Sequence, residues 1–101
     1  MSTNGGRKVA LILMKSEEAD ATIDVLEHDL PGVEVNDFGT YWNIAAPNEI
    51  VVPMDRVAQE LGRPIELSQW LVIMSSFVGR AAPGADFFRV TSKMVDLEAE
   101  G

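Results

Sequence analysis

The sequence predicts an α+β fold: a single compact domain with a mainly antiparallel sheet and two to three short helices. Three observations carry that expectation. The apolar residues fall in short runs of strand length. One segment alone repeats them at the four-three-four spacing of an amphipathic helix. The runs alternate with turn pairs such as Gly39-Thr40, Pro47-Asn48 and Pro83-Gly84, which favours hairpins and an antiparallel sheet.

The elements follow in order. Val9 to Met14 (VALILM) is a continuous apolar run that suits a buried strand. Ser16 is an N-cap candidate, and Glu17, Glu18 and Asp20 sit in the first turn behind it, where the helix dipole favours negative charge. Ala19, Ile23, Leu26 and Leu30 form one helical stripe, and Pro31-Gly32 ends it. Val33, Val35 and Phe38 suggest a second strand, joined through Gly39-Thr40 to a third, Tyr41 to Ala46. Glu49 to Val52 is a short fourth strand. Pro53 then opens a helix with Met54, Val57 and Leu61 on one face, and Gly62 closes it. Between Glu66 and Phe77 the pattern reads as one helical turn through Leu67 and Trp70, feeding a strand that begins with the β-branched run Leu71 to Met74. Gly79 breaks that strand, and Phe87, Phe88 and Val90 form the last one. Residues 1–7 read as a flexible polar tail, 8–93 as the folded domain and 94–101 as an acidic tail.

With 101 residues the chain has the length of one domain. Its 47% hydrophobic content is too high for disorder. No apolar run approaches the roughly 18–20 residues of a membrane span, and MSTNGGRK lacks the apolar heart of a secretory signal. The absence of cysteine rules out disulfides and thiolate metal sites and suits a reducing cytoplasm. A net charge of −8 would repel a phosphate backbone or an anionic membrane, so neither nucleic acid nor membrane is an expected partner. The acidity serves solubility or steers the chain toward a basic surface on another protein.

Catalytic equipment is hard to find. His28 is the sole imidazole, late in an acidic helix with Asp24 four residues before it, and reads as a surface residue at the helix C-terminus. Glu17, Asp20, Asp24 and Glu27 share a helix side, but no loop offers alternating oxygen ligands with a glycine. Phosphate-loop, G-x-S-x-G and HExxH patterns are missing. Trp42 and Trp70 are either core or interface anchors. Tyr41 and Trp42 are adjacent in a strand and point to opposite faces.

The order and spacing of several short stretches resemble a known family. They are DLPGVEV (Asp29 to Val35), TYWNIAA (Thr40 to Ala46), ELGRP (Glu60 to Pro64), SSFVGR (Ser75 to Arg80) and FFRVTS (Phe87 to Ser92). The chain is similar, from about Val9 to Lys93, to the regulatory or effector components of soluble bacterial diiron monooxygenases, a family that includes methane, phenol, toluene and alkene systems. Within it the resemblance points to the effectors of the four-component toluene and alkene type; the stretch before Val9 is short, unlike the long N-terminal extension of the methane system. The resemblance implies a cofactor-free, metal-free, non-catalytic protein that is monomeric when free. It would dock on a diiron hydroxylase and tune active-site geometry, turnover, coupling and product selectivity in aromatic or alkene oxidation. A Rieske ferredoxin and a flavin reductase would complete the system. The family's small and hydroxylated residues over the route to the diiron pocket correspond here to Ser75, Ser76, Phe77, Val78 and Gly79, the expected hydroxylase contacts. A strand end with a turn is the ordinary alternative. Arg80 is a candidate charged contact or an internal ion pair, and Asn4, Gly5 and Gly6 are candidates for ordering on docking. The competing functional class is a regulatory domain that binds a small molecule between sheet and helix.

Overall fold

The VALILM run forms the central strand in the computed structural model, which describes residues 8–92. In chain order the elements are β1 (Lys8–Met14), α1 (Glu17–Asp29), β2 (Glu34–Asp37), β3 (Tyr41–Pro47), β4 (Glu49–Pro53), α2 (Met54–Leu61), α3 (Leu67–Leu71), β5 (Met74–Val78), β6 (Arg80–Ala81) and β7 (Phe87–Thr91). Two sheets result, one ordered β2-β3-β1-β5 and the other β4-β7-β6. Every pairing is antiparallel.

Local chemistry explains the element ends. The Ala19 amide donates to Ser16 Oγ at 3.0 Å, so Ser16 caps α1 as expected. Gly39 turns the β2–β3 hairpin with φ +93, and its amide donates to Asp37 Oδ1 at 2.9 Å. The second strand is shorter than the apolar pattern suggests. Phe38 lies beyond β2, in the turn, with its ring edge-on to Tyr41 at 5.4 Å.

The Leu71 to Met74 segment departs from its reading. Leu71 ends α3, Val72 is still helical at φ −63 and 74% exposed, and β5 begins only at Met74. Two local contacts outweigh the β propensity of the run. Gln69 Oε1 accepts the Glu66 amide at 2.8 Å in a capping box, and the Trp70 side chain is fully buried, which pins the helical turn above the core.

The chain steps from the first sheet to the second twice, each time at a single residue with positive φ: Asn48 (+72) between β3 and β4, and Gly79 (+128) between β5 and β6; it returns through α2 and α3. At Gly79 a Cβ would lie 2.8 Å from Val90 Cγ2 and 3.0 Å from both the Thr91 carbonyl and Val9 Cγ1. Both the backbone angle and the space therefore require glycine there. The inner faces of both sheets feed one core. Val9, Leu11, Leu13 and Ile44 come from the first, Ile50, Val52, Phe88 and Val90 from the second, and Ala19, Val25, Leu26 and Val57 cover them from α1 and α2.

Candidate functional site

From Ser75 through Pro83 every residue is exposed, although six of the first seven belong to β5 or β6 and the run includes Phe77 and Val78. The topology causes this. β5 is the outer strand of the first sheet and β6 that of the second, so the continuous ribbon across Gly79 forms an edge of both. From Leu67 to Gly79 no residue is charged. Leu71, Val72, Phe77 and Val78 are all exposed large apolar side chains. An unprotected edge with exposed apolar residues is a template for association.

Register gives each side chain its direction. Leu11 faces Phe77, Ala10 faces Val78 and Ile12 faces Ser76, after which the register shifts so that Leu13 faces Met74. Ser75 is the extra residue of that bulge, and its hydroxyl donates to the Ile12 carbonyl at 3.4 Å. Ser76 and Val78 share the outer face with Ala10, whose own cross-strand neighbour is Ala45. Ala10, Ala45 and Ser76 are small, while Val78 and Ile12, the partner of Ser76, supply the apolar bulk of that face.

The ribbon is held from behind by aromatic packing. Phe77 meets Phe88 edge-on at 5.9 Å, and Phe88 meets Trp70 at 5.5 Å. Trp70 Nε1 donates to Thr22 Oγ1 at 2.9 Å, and Thr22 donates in turn to the Glu18 carbonyl at 2.7 Å. The fully buried hydroxyl is thus used as both donor and acceptor. Thr22 escapes sequence reasoning because a mid-helix threonine beside an apolar stripe looks neutral. The signal for it is its place between Ala21 and Ile23, opposite the acidic face, in a chain with a buried indole that needs an acceptor.

The expected contacts Ser75, Ser76, Phe77, Val78, Gly79 and Arg80 lie together on this ribbon. Gly79 also has the structural duty described above, and Arg80 opens β6 opposite Thr91. Asn4, Gly5 and Gly6 lie outside the described residues. The other candidates separate. Trp70 is core. Trp42 is half-buried, with Lys15 Nζ 4.4 Å above its ring. His28 is exposed and pairs with its neighbour Asp29 at 3.1 Å rather than with Asp24.

The perturbed carboxylates lie elsewhere, and each has a local cause. Its own backbone amide and Arg63 hold Glu18 below the usual carboxylate range. His28 and then Arg56 do the same for Asp29, and Lys15 with the Gly39 amide for Asp37. These are ion pairs and caps on α1 and β2. Among the described residues no three His, Cys, Asp or Glu side chains converge on a metal-sized space, and no helix is long and apolar enough to cross a membrane.

The fold and this surface define a class: a small α+β module whose distinctive feature, among the described residues, is an uncharged, exposed strand edge shared by its two sheets. Comparison gives the class its family. The chain belongs to the MmoB/DmpM family, the regulatory proteins of multicomponent diiron monooxygenases, which it matches over residues 7–91. It is 34% identical over 96 residues to methane monooxygenase regulatory protein B of Methylococcus capsulatus, spanning 89% of this chain and 68% of that one. It is 33% identical over 95 residues to the protein of the same name from Methylosinus trichosporium, spanning 89% and 69%. These relatives are regulators, not catalysts. The solved structure of the soluble methane monooxygenase regulatory protein B superposes with a TM-score of 0.69 at 32% identity, covering all of this chain and 77% of that one. A chain in the phenol hydroxylase–regulatory protein complex shares the fold, with a TM-score of 0.76 at 18% identity over 84% of this chain and 98% of that one.

Proposed function

We propose that this protein is a non-catalytic effector that docks on the diiron hydroxylase of a multicomponent monooxygenase through the β5–β6 ribbon. The observation that carries the reading is the uncharged, exposed edge from Ser75 to Gly79, which coincides with the stretch the family resemblance nominates. Docking would bury Phe77 and Val78, while Ser75, Ser76 and Gly79 allow close backbone approach. Asn4, Gly5 and Gly6 would add contacts, and residues 8–93 form the working domain between the two tails.

The mechanism is differential binding. The effector stabilises one hydroxylase state over another and shifts that equilibrium only by its difference in affinity for the two. Turnover, coupling of electrons to product, and product selectivity then change without any group of the effector entering the chemistry. Aromatic or alkene oxidation, with a Rieske ferredoxin and a flavin reductase in the same cytoplasmic system, is the finer assignment. It rests on the motif resemblance, whereas the relatives named above belong to methane and phenol systems. For the small-molecule alternative, the described residues offer two hollows of about 410 Å³ that are open surface grooves.

The test is reconstitution. The diiron hydroxylase proposed as its partner is assayed for hydrocarbon oxidation with and without it, and with Phe77→Asp. Turnover and coupling should rise with the parent and not with the variant. Unchanged product formation on adding the parent protein would end this reading.

A further inference from the structure

The outer face of the second sheet carries an open groove of about 410 Å³. Its floor is apolar. Val51 lies opposite Arg89 and Pro53 opposite Phe87 in the β4–β7 register, with Val51, Pro53 and Phe87 all half-buried. Asp55, in the first turn of α2, and Asp86, just before β7, also line the groove. Glu49 is neutralised by its bond from Arg89 Nε. Among the described residues Asp55 and Asp86 have no ion pair, and both are exposed. The groove therefore combines an apolar bed with uncompensated negative charge, in a chain of net charge −8.

It also adjoins the ribbon. β6 pairs with β7, and Arg80 and Glu49 are both cross-strand partners of Thr91. A partner seated along Ser75 to Arg80 thus continues onto this face without a gap. The occupant follows from the chemistry. A long basic side chain has an apolar stem that can lie on Val51, Pro53 and Phe87, and a cationic head that can reach free carboxylates. An arginine head would also stack on the Phe87 ring. An anionic or purely aliphatic group satisfies only half of this lining.

We infer that this groove is a second part of the docking footprint and receives an arginine or lysine side chain of the hydroxylase. The inference rests on the proposed docking function and adds the contact that orients it. Charge pairs at an interface rim govern association rate and salt dependence, so the groove would supply steering while the ribbon supplies burial.

Two measurements test it with the full chain and its hydroxylase. The first labels carboxyl groups with carbodiimide and glycine ethyl ester, with readout by mass spectrometry. Adding hydroxylase should lower labelling at Asp55 and Asp86 several-fold and leave Asp24 and Glu27 unchanged. The second compares affinities of the parent, the Asp55→Asn/Asp86→Asn double variant and Val78→Lys across ionic strength. The double variant should bind about tenfold more weakly at low salt and approach the parent near 1 M salt, where charges are screened beyond roughly 3 Å. Persistent labelling at both carboxylates, or parent-like affinity and salt slope in the double variant, overturns the groove. If Val78→Lys still loses binding in that case, the ribbon reading stands. Normal binding by Val78→Lys with weakened binding by the double variant would instead keep the groove and sink the ribbon.

Discussion

The four-stranded sheet has two edges, and the chain treats them oppositely. β2 carries Glu34 and Asp37, which pair with Lys8 at 3.1 Å and Lys15 at 2.6 Å. Its exposed backbone is flanked by charge that another strand could not cover without desolvating it, a common way to keep an edge solitary. β5, at the other edge, carries Met74, Ser75, Ser76, Phe77 and Val78 and no charge. The two strands share a sheet, a solvent and a chain that is 24% charged, so composition does not explain the contrast. The difference teaches that β2 is built to stay in water whereas β5 leaves apolar surface uncovered, and the proposed docking surface rests on that contrast.

The largest expected effect comes from giving β5 the protection that β2 has. Val78→Lys places a charge on the exposed outer face, where the fold tolerates it. Affinity for the hydroxylase should fall by about 100-fold, the scale of an interface hot spot of on the order of 3 kcal/mol. Asn36→Lys on β2 should leave affinity within about twofold. Calorimetric titration of both variants measures this, and equal affinities would erase the functional meaning of the contrast.

The ends of the two edges differ as well. Gly79→Ala must adopt φ +128 and force a methyl against Val90 and the Thr91 carbonyl, so it should destabilise by about 2–4 kcal/mol. Gly39→Ala, in the β2–β3 turn, meets nothing within 4 Å and bears only the backbone strain, about 1 kcal/mol. Denaturant unfolding ranks them, and a Gly39 variant as unstable as the Gly79 one would show that packing at the sheet crossing is unimportant. Thr22→Val should cost about 1–3 kcal/mol, because it leaves the Trp70 indole N–H buried without an acceptor. Its hydrogen-exchange signature should be larger along β5 than along β2, since Trp70 is linked to β5 through the Phe88 and Phe77 rings.

Much of this was open to sequence reasoning where the signal is local. Ser16 before an acidic turn, the VALILM run and the Gly39 hairpin each declare themselves within a few residues. Non-local pairing does not. Nothing in MSSFV states that it adds beside β1, or that Arg80 and Ala81 make a two-residue strand with β7. The Leu71 to Met74 run was misleading because burial of Trp70 overrides β propensity one residue later. The ribbon was legible as a stretch of small and hydroxylated residues, but its exposure on both sheets depends on the crossing at Gly79. The groove was invisible, because Asp55 and Phe87 are brought together only by the β4–β7 register.

The smallest expected effect lies on the charged edge and separates protection from stability. The Lys15 ammonium and the Gly39 amide hold Asp37 below the ordinary carboxylate range. A depressed carboxylate favours the folded state above its unfolded value, about 3.9, and the benefit disappears as pH falls through the lower folded value. Asp37→Asn should therefore lower the melting temperature slightly at pH 7. The difference should shrink progressively below about pH 4 and vanish in strong acid, where both proteins are neutral at this position. The pair is solvent-exposed, and such pairs contribute little. Asparagine also keeps an acceptor for the Gly39 amide, and Lys15 remains over Trp42. Melting curves at pH 7 and pH 2 measure the change, and a gap that persisted undiminished at pH 2 would exclude the carboxylate as its source. A small, acid-sensitive gap would mean that the charges of β2 add little to holding the fold. Their main effect would then be to keep that edge unpaired, leaving β5 as the edge available to the hydroxylase.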